Sequence, residues 1–287
     1  MSRALGQAIF FFMKFETKKS LGQNFLNSDV VPRWLCDAGE IKVGEIVVEI
    51  GPGTGRLTKE LLRRGARVIA IEADKRAVLL LNEEFKKEIA GEILQIHHGD
   101  VRNFHPAEFG LQNHLYKVVS NIPYYLTGML FRLFLDSEIQ PSVLVFLIQK
   151  EVAKRITSNL IRGEKESLLS LSIKVFGDVS YIREVSRGHF SPSPKIDSAI
   201  VKVSNIKRTN FSNISPKLFF ETLHLGFGKK RKQLLGNLST TYPRLELESI
   251  FEKCGFAKDI RAEDINLSEW LLLIKYLGLI SNPKLDT

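Results

Sequence analysis

Three short segments of the chain carry residue types that can hold a polar small molecule and orient an amine beside it. The first is Glu49-Ile50-Gly51-Pro52-Gly53-Thr54-Gly55. Glycines at Gly51, Gly53 and Gly55 permit positive φ and let the backbone approach a ligand closely. A helix beginning just beyond them presents unpaired N–H groups, which suit phosphates and carboxylates. The second is a pair of acids, Glu72 and Asp100, each placed just after a strand-like run. In an open α/β sheet that position faces the ligand crevice. A carboxylate at Glu72 can accept from both hydroxyls of a ribose, and one at Asp100 from an adenine amine. Asp74, two residues past Glu72, is expected to be solvated. One acid at a strand end usually carries no function; two in succession after a glycine turn are hard to obtain by accident. The third segment is Ser120-Asn121-Ile122-Pro123-Tyr124-Tyr125.

The glycine turn excludes two rivals. A dinucleotide-binding turn needs Gly or Ala where Arg56 stands, which disfavours an oxidoreductase. A Walker loop needs Gly-Lys-Ser/Thr, which is missing here. An acid ahead of Gly-x-Gly-x-Gly instead resembles the S-adenosylmethionine turn of class I methyltransferases. That cofactor carries a carboxylate and no pyrophosphate, and its ammonium group suits a nearby acid such as Glu49.

Pro123 fixes its turn and biases the residue before it towards an extended backbone. This can aim the Asn121 amide oxygen and a backbone carbonyl at Ile122 towards one point, with the Tyr124 ring alongside. Such a set suits methylation of an exocyclic amine, whose lone pair is delocalised into its ring. Two acceptors on the amine hydrogens favour a pyramidal nitrogen with an available lone pair, and positioning supplies much of the rate. An Asn-x-Pro-Tyr met by itself is better read as a proline turn with core tyrosines. Its order after the other two segments favours the chemical reading.

These residues need a frame. Ile46–Ile50, Arg67–Ile71, Ile93–Ile96, Tyr116–Val119 and Ser142–Ile148 are strand-like, and Leu57, Leu61 and Leu62 mark a helix face that stops at Gly65. Ala77–Lys87 also reads as a helix. Strands alternating with helices predict an α/β fold, a parallel sheet with helices on both faces. Glu151–Thr157 and Ser167–Phe176 read as helices, and Tyr181–Val185 with Ala199–Val203 as an antiparallel pair. From residue 206 the signal is helical: Leu218–Leu225, Arg231–Leu238, Leu245–Lys253 and Leu267–Leu277. The predicted division is an N-terminal extension over residues 1–17, a Rossmann-like methyltransferase domain over 18–205 and a small all-α domain over 206–287. The first dozen residues are an upstream extension, a misassigned start or a disordered tail.

The chain has 287 residues and a formal net charge of +9, which favours a polyanionic partner without choosing between nucleic acid and an anionic membrane. Ala8–Phe12 is apolar but too short to span a bilayer. Two distant cysteines, Cys36 and Cys254, form no metal-ligand or disulfide pattern, and fit a reduced, cytoplasmic setting. His97-His98 reads as a polar strand end, and no metal is expected. Lys229, Lys230, Arg231 and Lys232 open a leucine-bearing helical run whose cations can neutralise phosphates. A generic basic run is more often a solvated helix start; the net charge and the neighbouring chemistry favour RNA here. Arg155, Arg162, Lys165 and Arg187 could extend that surface.

Taken in order, the motifs resemble the KsgA family of small-subunit ribosomal RNA adenine dimethyltransferases, from about Lys18 to near the C-terminus. Lys19 to Leu26 resembles that family's opening motif, and Phe190-Ser191-Pro192-Ser193-Pro194-Lys195-Ile196-Asp197-Ser198 its Phe-x-Pro-x-Pro-x-Val-Asp-Ser loop with Ile for Val. Phe227–Leu238 resembles its basic C-terminal segment. The resemblance implies S-adenosylmethionine as cofactor, held by Asn24, Leu26, Gly51, Gly53, Glu72, Asp100 and Asn121. It implies a target base flanked by Tyr124 and Phe190, with Asn121, Ile122, Pro123 and Tyr124 as the catalytic segment. The implied substrate is a pair of adjacent adenosines near the 3′ end of 16S rRNA, in the small ribosomal subunit or its precursor. The protein is expected to act as a monomer, without a membrane. Many bacterial members have Leu at Ile122, and Ile also occurs in macrolide-resistance 23S rRNA adenine methyltransferases. Those enzymes are one alternative; a non-catalytic RNA-binding assembly factor is another, opposed by the intact Glu72, Asp100 and Asn121–Tyr124.

Overall fold

The structure, a computed structural model, describes residues 24–160, 163–229 and 231–279. The expected N-terminal extension, Lys19 to Gln23 of the opening motif, Arg162 and Lys230 lie outside the described residues.

In chain order the elements are β1 (Phe25–Leu26), α1 (Val30–Ala38), β2 (Ile46–Ile50), α2 (Arg56–Arg63), β3 (Arg67–Glu72), α3 (Lys75–Glu84), α4 (Lys86–Ala90), β4 (Leu94–His98) and β5 (Tyr116–Asn121). There follow α5 (Thr127–Leu135), β6 (Val143–Gln149), α6 (Lys150–Ile156), α7 (Leu168–Lys174), β7 (Asp178–Val185), β8 (Phe190–Ser191) and β9 (Ser198–Ser204). The chain then turns helical with α8 (Pro216–Gly226), α9 (Leu234–Leu238), α10 (Arg244–Cys254) and α11 (Leu267–Leu277). Among the described residues no helix is long and apolar enough to cross a membrane.

Seven strands form one sheet in the order β4-β3-β2-β5-β6-β9-β7, and β1 pairs with β8 in a separate two-strand ribbon. The first five sheet strands are parallel, while β9 runs antiparallel between β6 and β7. Period-two side-chain alternation gives the sheet two apolar faces. Val47, Val68, Ala70, Val119 and Val145 enter one core with residues of α1, α2 and α3. Val48, Ile69, Ile71, Val118, Leu144 and Phe146 enter the other, which runs without interruption through α5 and α7 into α8–α11 and Trp270. This is the predicted α/β architecture, with helices on both faces.

Two predicted helices differ. The helix expected over Ala77–Lys87 breaks at Phe85, whose φ of −110° and ψ of 30° separate α3 from α4. The Phe85 ring is drawn inward and packs against Gly55, where an added Cβ would lie 2.6 Å from it. The run expected as a helix from Arg231 begins only at Leu234, so Lys229, Arg231 and Lys232 occupy the preceding turn. The sequence reading also left α1 and α5 unassigned.

The strand order reverses between β2 and β5, where a crevice is expected in an open sheet. Their ladder pairs Ile46, Val47 and Val48 with Tyr116, Lys117 and Val118, then stops although both strands continue. Beyond it the fully buried Ser120 hydroxyl takes over: it donates to the Ile50 carbonyl and accepts from the Ile50 N–H at 3.2 Å. One side chain thus satisfies two backbone groups that the splayed strands no longer pair.

Glu49 anchors the other side of the glycine turn. Its carboxyl is 2 % exposed and accepts from the Thr58 hydroxyl at 2.7 Å, tying β2 to α2. It points into the protein, away from the crevice, so the expected pairing with a cofactor ammonium is not what this residue does. Burial, assisted by the negative charge of Glu72, pushes its carboxyl up to about 8. A group that keeps its proton to about 8 when folded but releases it near 4.5 when unfolded stabilises the fold fully in acid, and progressively less as pH rises towards 8. Glu49→Gln keeps the acceptor for Thr58 and removes the titration. Its melting temperature should therefore decline less than the wild type's between pH 5 and 8, as read by circular dichroism. Parallel curves for the two proteins would contradict the protonated assignment.

Candidate active site

A cavity of about 350 Å³ opens at the carboxyl ends of β2, β3, β4 and β5. Its floor is the glycine turn. Gly51 and Gly53 have φ of 64° and 56°, a region that side chains rarely adopt. A Cβ on Gly53 would lie 2.8 Å from the Phe25 ring, whereas nothing lies within 4 Å of where one on Gly51 would project. Gly53 is therefore demanded by packing, and Gly51 leaves open a cradle for a ligand.

Glu72 closes the end of β3. Its carboxylate is 6 % exposed, and among the described residues no cation lies within ion-pair distance of it. Backbone groups hold it instead: Gly53 N–H donates to one oxygen at 3.0 Å and Asp74 N–H to the other at 2.8 Å. Both oxygens are thus fixed in direction. Burial raises its pKa, and the backbone N–H groups oppose the rise. Asp74 is not solvated as expected. It is 4 % exposed, caps α3 by accepting from the Arg76 N–H at 3.0 Å, and forms an ion pair with the Arg76 guanidinium at 2.6 Å. The need for an N-cap draws this acid inward, and its own N–H then orients Glu72.

Asp100 lies on the cavity wall just past β4. It accepts from the Arg102 N–H at 2.9 Å and from the Arg102 guanidinium, which hold its carboxyl below the usual range. Arg102 itself lines the cavity mouth.

The opposite wall starts at Asn24 and Phe25, brought there by the ribbon. Phe25 pairs with Ser191 and Leu26 with Phe190, and the Asn27 N–H and side-chain amide donate to the carbonyls of His189 and Gly188. From β5, the Asn121 amide nitrogen donates to the Asn24 carbonyl at 3.2 Å. That bond sets the amide orientation and leaves its oxygen to accept from another donor. Ile122 buries its side chain at 2 % exposure, and Pro123 has an extended backbone with ψ of 130°. Tyr124 then starts a short 3-10 turn, its carbonyl accepting from the Thr127 hydroxyl at 2.8 Å. Tyr124 is half-buried and Tyr125 exposed, both on the cavity lining.

The cavity thus gathers Asn24, Gly51, Gly53, Glu72, Asp100, Asn121, Ile122, Pro123 and Tyr124, as the sequence reading expected. It does not gather Leu26 or Phe190. Both are packed into the core at 5 % and 3 % exposure, where they pair with each other across the ribbon. In strands the side chains alternate, so with Leu26 turned inward its neighbour Phe25 takes the place on the cavity lining. Phe25 and Arg102 were missed. Lys229, Arg231 and Lys232 are exposed on the turn before α9, away from the cavity lining. Among the described residues no group of three or more His, Cys, Asp or Glu is gathered for a metal.

These residues fit an adenosine bearing a methionine tail. The fixed Glu72 oxygens match a vicinal diol, Asp100 an exocyclic amine, Ile71, Val101 and Ile122 a purine face, and the Gly51 cradle a group pressed against the backbone.

Residues 14–278 match the family described as ribosomal RNA adenine dimethylase. The chain is similar to ribosomal RNA small subunit methyltransferase A of Dehalococcoides mccartyi, at 38 % identity over 89 % of this chain and 87 % of that one. It resembles the protein of the same name from Fusobacterium nucleatum at 30 % identity, over 92 % and 98 % of the two chains. Among solved structures, a dimethyladenosine transferase from Plasmodium falciparum superposes with a TM-score of 0.72 at 24 % identity, covering 87 % of this chain and 95 % of that one. The 23S rRNA methyltransferase ErmE superposes with a TM-score of 0.68 at 22 % identity, over 89 % and 100 %. The two superpositions establish a shared fold, and the match along nearly the whole sequence establishes more: the chain belongs to the ribosomal RNA adenine dimethylase family.

Proposed function

We propose that this protein transfers methyl groups from S-adenosylmethionine to N6 of two adjacent adenosines near the 3′ end of 16S rRNA, within the small ribosomal subunit or its precursor. The observation that carries the reading is the Asn121 amide, oriented by the Asn24 carbonyl so that its oxygen is the acceptor left over, in one cavity with Glu72 and Asp100. When bound, the cofactor supplies an electrophilic methyl group. Glu72 holds the ribose hydroxyls and Asp100 the adenine amine. The Asn121 oxygen and the Ile122 carbonyl accept the hydrogens of the target amine and bias its nitrogen towards a pyramidal shape. Pro123 sets the turn between them. The Tyr124 ring offers a stacking face, a contact that typically contributes about 1–3 kcal/mol per base. Phe190 is better read as the packing partner of Leu26 than as a wall against the base. Within this reading residues 18–205 perform the chemistry and residues 206–287 contact the ribosome, through Lys229, Lys230, Arg231 and Lys232. A monomer in the cytoplasm fits a substrate of ribosomal size.

Labelled cofactor, unmethylated small subunits and mapping of the modified adenines test the whole reading; label confined to large-subunit rRNA would overturn it. Asn121→Ala should lower the transfer rate by about a hundredfold or more, as loss of one preorganised polar group does elsewhere, with an unchanged melting temperature. Near-normal turnover would remove Asn121 from the chemistry. Glu72→Gln, which turns one acceptor into a donor, should weaken cofactor binding by roughly tenfold or more in calorimetry. An unaltered affinity would dismiss the ribose contact. Replacing Lys229, Arg231 and Lys232 by Ala should weaken small-subunit binding and flatten its dependence on log salt by up to about three. A slope equal to the wild type's would show that this turn touches no phosphate.

A further inference from the structure

Tyr124 is the aromatic group on the cavity wall closest in sequence to Asn121, and its local 3-10 turn fixes only its backbone. The ring's far end is held from another part of the chain. The Tyr124 hydroxyl lies 2.7 Å from the Ser198 hydroxyl, a hydrogen bond that spans 74 residues. Ser198 is fully buried at the first position of β9. It is clamped there between two strands, opposite Gln149 of β6 and Val185 of β7. The residue before it is anchored as well: the Asp197 carbonyl accepts from the Lys150 N–H at 3.0 Å, and its carboxylate from the Arg187 N–H at 2.9 Å. Ser198 thus has almost no freedom to follow Tyr124; Tyr124 must follow Ser198.

We propose that Ser198 is a positioning residue for base methylation: its hydroxyl pins the Tyr124 phenol oxygen, and so fixes the long axis of the ring against which the target base is placed. This deepens the reading of the cavity as an adenine methylation site and rests on it. An aromatic side chain held only at its backbone can still swing about its two side-chain torsions, and a stacked base swings with it. A ring held at its hydroxyl as well cannot swing about the first torsion, so its position is set even though the oxygen lies on the axis of the second. The in-line approach of an amine to a methyl group tolerates little misplacement, since a shift of 1 Å can cost up to about a hundredfold in rate. The bond also gives a half-buried phenol a partner that does not move when a base displaces water from the cavity.

The test is a double-mutant cycle on the full-length protein, with unmethylated small subunits as substrate. Ser198→Ala and Tyr124→Phe break the same hydrogen bond from opposite ends, and Tyr124→Phe leaves the ring and the buried strand end intact. Each should lower kcat by roughly three- to tenfold, the range of one net hydrogen bond, with KM for subunits and calorimetric affinity for S-adenosylmethionine within about twofold of wild type. The double variant should be no slower than the slower single one. Multiplied losses in the double variant, an unchanged kcat in Tyr124→Phe, or a loss confined to KM would each overturn the positioning role. Failure of the wild-type protein to methylate adenine would instead sink the underlying functional reading, and the two failures are distinguished by the wild-type control alone.

Discussion

The cavity exists because two neighbouring parallel strands stop pairing before they end. The β2 and β5 ladder stops at Val48 and Val118, yet both strands run on to place Ile50 and Asn121 at the carboxyl edge. Parting two strands inside a protein strands backbone N–H and C=O groups without partners, a cost comparable to lost hydrogen bonds. Ser120 offsets that cost at Ile50 by serving as both donor and acceptor. The gap can then open without being filled by backbone pairing. The turn after β2 and the Asn121–Tyr124 segment after β5 hang from its two sides.

Within that gap the buried Glu72 carboxylate determines much of the local architecture. A carboxylate this deep is costly unless hydrogen-bonded, and its bonds come from the N–H groups of Gly53 and Asp74. To donate, the Gly53 backbone must take positive φ under the Phe25 ring, which excludes a side chain there. Asp74 must sit inward as the cap of α3. The glycine turn, the cap and the ribbon bearing Phe25 thus serve one acceptor. Removing any of them is expected to act on the cavity first through the direction of the Glu72 oxygens.

What was legible in the sequence follows from the length scale of each signal. Strands β2 to β6 are apolar runs of five to seven residues bounded by turns, and their order predicted the sheet and the crevice. Glu72, Asp100 and Asn121 were readable because each sits at or just past the end of such a run. The ribbon was not, since two-residue strands have no period to detect; Leu26 was accordingly given the place on the cavity that Phe25 holds. Helix α5, with the sequence Thr-Gly-Met-Leu-Phe-Arg-Leu-Phe-Leu, carries the apolar Met129 and Leu133 outside its buried face as well, so no helical face stands out. Asp74 was misjudged because an acid beside a functional acid looks like a surface residue until its capping role is seen. The Ser198–Tyr124 bond joins residues 74 positions apart, and nothing local in either segment announces it.

Glu72 and Asp100 share a chemical type but are built for different tasks. Glu72 is buried and held by backbone groups that cannot withdraw, so it meets a ligand already aimed. Asp100 is partly exposed, and besides the Arg102 N–H its partner is a side chain, the Arg102 guanidinium, that can rotate away. Solvent screens an ion pair at such exposure and weakens it, so the pair does not bar a ligand amine from the carboxylate. Because Arg102 also lines the cavity mouth, any group that takes its place on Asp100 frees a cation beside the exposed Tyr125. On the proposed reading, the rigid acid holds one end of an adenosine, and the paired acid links occupation of the other end to the charge at the cavity mouth.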